Sequence, residues 1–301
     1  MSAASEIPIR YVEPVFRPPS EARSLILPVT DGCSWNRCTF CEMYTAPQKK
    51  FRARSGDEVL DTIRRTAARV GPGVRRVFLA DGDALVLPTH RLLRILQAIA
   101  EHMPTVERVS SYCLARNLER KSVAELSELR EAGLRMAYLG AESGDDTVLA
   151  HVNKGETFAS TVAALDKLAD AGITRSVMIL NGLGGRTLSD RHADRSARLA
   201  NATQPEYLAT LVVSFPQGEA RFRAGFPAFE PLDQDGLFRE MRRFIGNLAL
   251  KRTVFRSDHA SNRLVLRGTL DADRDRLLAQ LDQAIHQPER AALRPEWMRG
   301  L

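Results

Sequence analysis

The chain has 301 residues, with 43 Lys and Arg against 37 Asp and Glu and a formal net charge of +6. That length suits one large α/β domain or a domain with an appendage. The mild basic excess does not require a nucleic-acid partner, and no aromatic-interleaved basic stripe argues for one. No run of about 18 apolar residues occurs, so a membrane span is not expected. The chain starts without a secretory pattern and has only four cysteines, which together point to the cytoplasm.

Apolar β-type runs alternate with helical periodicity. The first strand is predicted over Leu25–Val29 and leads into Thr30-Asp31-Gly32-Cys33-Ser34-Trp35-Asn36-Arg37-Cys38-Thr39-Phe40-Cys41. Val59, Leu60, Ile63, Ala67 and Val70 share one face of a helix over Asp57–Val70, which Gly71-Pro72-Gly73 stops. Val77–Leu79 is the second strand, His90–His102 its helix, and Val106–Tyr112 the third strand. Ser122 and Glu125 form the capping box of the next helix, closed by Gly133. Met136–Gly140 follows as strand four, then a helix over Phe158–Ala171 ended by Gly172. Ile173–Leu180 is strand five, Ser189–Asn201 its helix, and Tyr207–Ser214 strand six. Beyond it lie an amphipathic helix over Leu237–Leu250, a strand over Leu264–Leu266 and a final helix over Asp271–His286.

Successive strand–helix units predict a parallel sheet with helical crossovers, either curling toward a barrel or opening as a doubly wound layer. In both, reactive groups lie at the carboxyl ends of the strands. The polar and glycine-rich clusters fall there. The cysteine loop follows strand one, Asp81-Gly82-Asp83 strand two, Glu142-Ser143-Gly144 strand four, and Asn181-Gly182-Leu183-Gly184-Gly185 strand five.

Cys33, Cys38 and Cys41 have the spacing C-x4-C-x2-C, and Cys113 is the one other cysteine. Three thiolates on one loop can hold three irons of a [4Fe–4S] cube and leave the fourth iron without a protein ligand. An open metal position marks a site that binds a reactant. A zinc site completed by Cys113 or a histidine is the competing reading, and a disulfide with a spare thiol a further one.

On these residues the chain resembles the radical S-adenosylmethionine (SAM) family, over roughly Ser24 to Ser214. The family's commonest spacing is C-x3-C-x2-C, so this loop carries one extra residue. Gly140-Ala141-Glu142-Ser143-Gly144 followed by Asn153-Lys154-Gly155 is similar to the branch holding oxygen-independent coproporphyrinogen oxidase and the methylthiotransferases. The resemblance implies an α/β fold, a partial (β/α)6 TIM-like barrel, with an oxygen-sensitive [4Fe–4S] cluster on Cys33, Cys38 and Cys41. It implies SAM on the open iron, cleaved reductively to a 5′-deoxyadenosyl radical that abstracts hydrogen from a substrate. Phe40 matches the aromatic position beside the adenine. Asp81, Gly82 and Asp83 stand where the family's GGE-like motif meets the SAM amino group. Glu142 and Ser143 correspond to ribose contacts, and Met178, Leu180 and Gly182 to the adenine contact. A flavodoxin- or ferredoxin-type electron donor is implied as partner.

Ordinary structural roles compete at several of these positions. Asp81-Gly82 is also a turn signature, Glu142 could cap a helix, and Met178 could be core. Cys113 reads first as a small buried residue. Lys49, Lys50, Arg52 and Arg54 form a basic run after the cysteine loop, either a solvated loop, a site for an anionic substrate, or a docking patch for an acidic electron donor. The expected organisation is an extension over 1–23, a catalytic core over 24–214 and a cap over 215–301. In that cap Arg256-Ser257-Asp258-His259-Ala260-Ser261-Asn262 either lines a substrate pocket, with His259 as proton donor or acceptor, or forms a hydrogen-bonded turn. The expected activity is hydrogen abstraction from an unidentified substrate; the alternative is an iron–sulfur or zinc protein that carries electrons or regulates without SAM chemistry.

Overall fold

The computed structural model describes residues 7–298. Eight strands form one sheet in chain order: β1 (Leu25–Pro28), β2 (Arg76–Ala80), β3 (Arg108–Cys113), β4 (Leu134–Glu142), β5 (Thr174–Asn181), β6 (Tyr207–Val212), β7 (Thr253–Ser257) and β8 (Leu266–Leu270). The pairs β1–β2, β2–β3, β5–β6 and β6–β7 are parallel, and β8 runs antiparallel to β7. β1 and β8 are the edges, so the predicted partial barrel is present as an open, mostly parallel sheet. Its principal helices are α1 (Gly56–Val70), α2 (Thr89–His102), α3 (Val123–Glu131), α4 (Phe158–Asp170), α5 (Gly185–Thr203), α6 (Gln234–Gly246) and α7 (Arg274–His286).

Contact density divides the chain into two compact units. The first holds the chain through Asn36, Met43–Tyr138 and Lys167–Thr174; the second holds Arg37–Glu42, Leu139–Asp166 and everything from Arg175 on.

In the first unit, Leu27, Phe78 and Leu79 are buried on β1 and β2, and α1 and α2 bury Val59, Ile63, Leu92, Ile95, Leu96 and Ile99. The predicted helix bounds hold here for local reasons. The Ser55 side chain accepts from Glu58 N and starts α1, and Gly71, at φ +60°, ends it. The capping box of Ser122 and Glu125 opens α3 as expected. β3 begins at Arg108 rather than Val106, because Val106 N is taken by Met103 O in a turn (3.0 Å).

The second unit is centred on Phe222, Phe226 and Phe229 with Val148, Val152 and Leu183, and the half-buried Phe40 and Leu180 pack against that cluster. α5 starts at Gly185, four residues before the predicted Ser189, since Gly182 (φ +80°) and Gly185 (φ +59°) turn the chain straight from β5 into the helix. β7 is not legible as a strand because it is short and two of its three buried positions, Thr253 and Ser257 beside Phe255, are polar. The Leu264–Leu266 strand is displaced, with β8 starting at Leu266 and Leu264 bridging to Leu293.

Candidate functional site

The predicted cysteine loop is divided between the units: Cys33 belongs to the first, Cys38 and Cys41 to the second. None of the four cysteines forms a disulfide. Among the described residues no three His, Cys, Asp or Glu side chains are grouped to hold one metal ion.

In the first unit, the turn after β2 lies directly on the backbone ahead of Cys33. A Cβ on Gly82, at φ +54°, would sit 2.0 Å from Gly32 O and 2.7 Å from Cys33 Cα. A Cβ on Gly32, at φ +68°, would sit 2.2 Å from Lys49 O. Only glycine allows these approaches. Hydrogen bonds fix the rest. Asp81 N donates to Thr30 O (3.1 Å), and Gly82 N donates to the Tyr44 hydroxyl (3.1 Å). Asp83 Oδ1 accepts from Ser34 N (2.7 Å); its Oδ2 accepts from Ser34 Oγ (2.5 Å) and Asn117 Nδ2 (2.9 Å). Burial raises the Asp83 carboxyl, while the bonds from Ser34, Asn117 and the Cys33 thiol act against that. Arg116 lies over the Trp35 ring at 3.8 Å.

Asp81 is buried too, and its Oδ2 pairs with Lys49. Its Oδ1 is buried with no hydrogen-bond partner, which leaves an acceptor beside the cysteine loop. The Lys49 pairing also revises the basic run. Lys49 is fully buried, and Arg54 is buried with Nε and Nη2 on Asp31 Oδ1 (3.0 and 2.8 Å). Arg52 also binds Asp31, at 2.8 Å, from a side chain 65 % exposed. Two of the four charges are therefore internal struts, and only Lys50 and Arg52 face solvent. Charge runs in sequence do not reveal which members are paired inside.

In the second unit, the Cys38–Cys41 turn is held from several directions. Thr39 N donates to Val152 O (2.9 Å), Arg221 to Cys41 O, and Gln217 N to Glu42 Oε2 (3.1 Å). Lys154 is buried, 3.0 Å from Glu142 Oε1 and 5.9 Å from the centre of the Phe40 ring. Burial disfavours its ammonium, but Glu142, Cys38 and Cys41 outweigh that and raise its pKa. Conversely, burial pushes the Cys38 thiol up, with Lys154 opposing. Gly140 leaves room for this pair, since a Cβ there would lie 2.0 Å from Glu142 Oε1. Glu142 itself has φ +63°, an uncommon conformation for a side-chain-bearing residue.

Ser143 Oγ is bonded to His192 Nδ1 (2.8 Å) and accepts from Asp145 N (3.0 Å). Glu240 reaches Gly182 N and Ser189 Oγ, both at 2.6 Å, and lies 3.9 Å from His192 Nε2. His192 thus bonds Ser143 and Glu240 holds Gly182, and the two linking side chains approach to 3.9 Å in the buried interior. Sequence reasoning missed both linking residues. A signal was available for Glu240, which stands three residues after Leu237 and four before Phe244, a charge inside an apolar helical stripe. Met178 and Leu180 are half-buried on one face of β5, opposite the buried Val177 and Ile179.

His259 is half-buried in a turn. Its Nδ1 is 2.9 Å from Ser261 Oγ and accepts from Ser261 N (3.1 Å), and Arg294 binds its carbonyl. Burial, and then Arg294, lower its pKa. Ser257, Ser261 and Asn262 from the same polar segment line a cavity, and His259 does not. Cys113 is buried at the end of β3.

A family model described as the Radical SAM superfamily matches residues 27–199, more than half of the chain. The heme chaperone HemW of Bacillus subtilis (strain 168) is 20% identical over 176 residues, covering 56% of this chain and 45% of that protein. The chain therefore spans less than half the length of this curated relative. Among solved structures, methylornithine synthase (PylB) superposes with TM-score 0.52 at 17% identity, over 75% of this chain and 63% of that one. The radical S-adenosylmethionine methyltransferase TsrM from Kitasatospora setae gives TM-score 0.51 at 19% identity, over 63% of this chain and 36% of that one. At these identities the likeness concerns the fold. Among the described residues, no helix is long and apolar enough to cross a membrane.

Proposed function

Because the chain belongs to the radical SAM superfamily, we propose that it is an enzyme holding a [4Fe–4S] cluster on Cys33, Cys38 and Cys41 and cleaving SAM reductively. The observation that carries this is the C-x4-C-x2-C loop at the end of β1, inside the segment the family model matches. When bound, cluster and SAM supply one-electron cleavage to methionine and a 5′-deoxyadenosyl radical able to abstract hydrogen. The chain's part is to bind, orient and exclude water.

The residues present fit these groups. Thiols are the usual ligands of such a cluster. The unpartnered Asp81 Oδ1 suits the cationic amino group of SAM, with the Gly82 backbone beside it and Asp83 holding the loop at Ser34. Glu142 and Ser143 are assigned to the ribose. Phe40, Met178, Leu180 and the backbone at Gly182 are assigned to the adenine. Lys154 places a fixed positive charge by Cys38 and Cys41. In this reading residues 24–214 carry the radical chemistry and 215–301 the substrate region, with His259 outside the cavity wall and its Nδ1 held by Ser261. The protein is cytoplasmic and oxygen-sensitive, and receives electrons from a flavodoxin- or ferredoxin-type donor.

Anaerobic reconstitution tests the metal assignment. It should give about four irons per chain, lost when Cys33, Cys38 or Cys41 is replaced by Ala and kept in Cys113→Ala. Stoichiometric zinc without iron-dependent absorbance would contradict it.

A further inference from the structure

The second unit contains a cavity of about 370 Å³, near the lower end of the range for small-molecule sites, roughly 300–1,000 Å³. It opens among the carboxyl ends of β5, β6 and β7, where Asn181, Gly182, Val212 and Ser257 line it. Most of its wall is apolar, supplied by residues such as Val213, Phe229, Leu237, Met241 and Leu266. The polar groups gather in the segment around Asn262 and Arg263.

Two charged residues line this cavity, Glu219 and Arg263. Glu219 is committed to Arg223 at 2.7 Å. Arg263 is engaged less fully: Nη1 donates to the neutral Gln234, Nη2 lies 3.6 Å from Glu296, whose side chain is 66 % exposed, and Nε is buried with no acceptor. A buried donor left without a partner is destabilising. A carboxylate, whose two oxygens match the guanidinium fork, would satisfy it. The segment is braced for that task. Ser261 Oγ accepts from Val212 N (3.1 Å), Asn262 Nδ2 donates to Thr210 O (2.9 Å), and Arg294 binds the carbonyls of Asp258 and His259.

We infer that this cavity is the substrate site and takes a small, largely apolar molecule bearing one carboxylate, which docks on Arg263 with its apolar body along the β6 and α6 walls. This rests on the radical SAM reading, because Gly182, assigned there to the adenine, also lines the cavity.

The test uses the reconstituted holoprotein and four probes: 3-phenylpropanoate, octanoate and their primary amides, with binding read by ligand-observed NMR and calorimetry. The carboxylates should bind at least about tenfold tighter than the amides, the effect of one charge-assisted contact. Arg263→Gln should erase that preference and Arg263→Lys keep part of it. Val213→Phe, which fills the cavity from a half-buried position, should weaken all four probes while circular dichroism stays unchanged. No binding by either carboxylate, equal binding of acids and amides, or an unchanged preference in folded Arg263→Gln would overturn the inference. SAM cleavage is assayed separately on the same preparation. Cleavage without carboxylate binding removes this cavity assignment alone, whereas carboxylate binding without cleavage removes the radical reading and leaves a carboxylate site.

Discussion

Lys154 Nζ and Glu142 Oε1 lie 3.0 Å apart with side chains only 6 % and 12 % exposed, so each is the other's counter-charge inside the second unit. Removing one member leaves an uncompensated buried charge, which typically costs about 3–5 kcal/mol, whereas replacing both by apolar groups is far milder. Lys154→Met should therefore lower the urea-unfolding free energy of the metal-free protein by about that amount. The double variant Lys154→Met, Glu142→Leu should recover most of it. A single-variant loss below about 1 kcal/mol, the range of exposed pairs, would show that the pair is solvated.

Gly82 lies against the backbone of Gly32 and Cys33, with no space for a methyl group. Gly82→Ala should displace the loop carrying Cys33 and reduce iron incorporation on reconstitution, with a folded second unit. Gly73→Ala, where an added Cβ meets nothing within 4 Å, is the control and should retain full iron. Equal iron in both variants would contradict the packing account.

Asp31 gives the acid response a local origin. Burial opposes its ionisation, but hydrogen bonds from Arg52 and Arg54 prevail and hold its carboxyl below the ordinary 3.8. The folded state thus binds this proton less tightly than the unfolded one. Its stabilisation is complete above the ordinary value and is lost as pH falls through the lower, folded one. Asp31→Asn should lower Tm at neutral pH, and the gap from wild type should narrow progressively as pH falls below the ordinary 3.8. A gap that is constant down to pH 2 would show that the effect is packing rather than charge.

The buried Glu240 receives Gly182 N and Ser189 Oγ and lies near His192. Glu240→Ala leaves the Gly182 N–H without its acceptor, an expected loss of about 1–3 kcal/mol. Proton-exchange mass spectrometry should show faster exchange at residues 181–185 than in wild type. Unchanged exchange there would mean that the turn is held by its backbone alone.

How far the sequence could be read follows a physical divide. The elements of the sheet were legible because periodicity, capping residues such as Ser122 and Glu125, and stopping glycines such as Gly71 act over a few residues. The cysteine loop was legible because its spacing is itself the signal. Residues that act through distant partners were not. Nothing local distinguishes Lys49, fully buried against Asp81, from Lys50 beside it, which faces solvent. The role of Glu240 depends on a turn more than 50 residues away, and β7 alternates in burial but places polar Thr253 and Ser257 at two of its three buried positions, so its hydropathy does not announce a strand. The composition of the polar segment 256–262 marks it out, but not which members face inward: Ser257, Ser261 and Asn262 line the cavity and His259 does not.

The most direct test of the account is to incubate the anaerobically reconstituted, dithionite-reduced protein with SAM and quantify products by liquid chromatography and mass spectrometry. The account predicts 5′-deoxyadenosine and methionine in equal amounts, abolished in Cys38→Ala, and faster formation when a substrate occupies the cavity. An intact, reduced cluster that binds yet never cleaves SAM, with or without carboxylate probes, would contradict it and identify the protein as an iron–sulfur carrier or regulator instead.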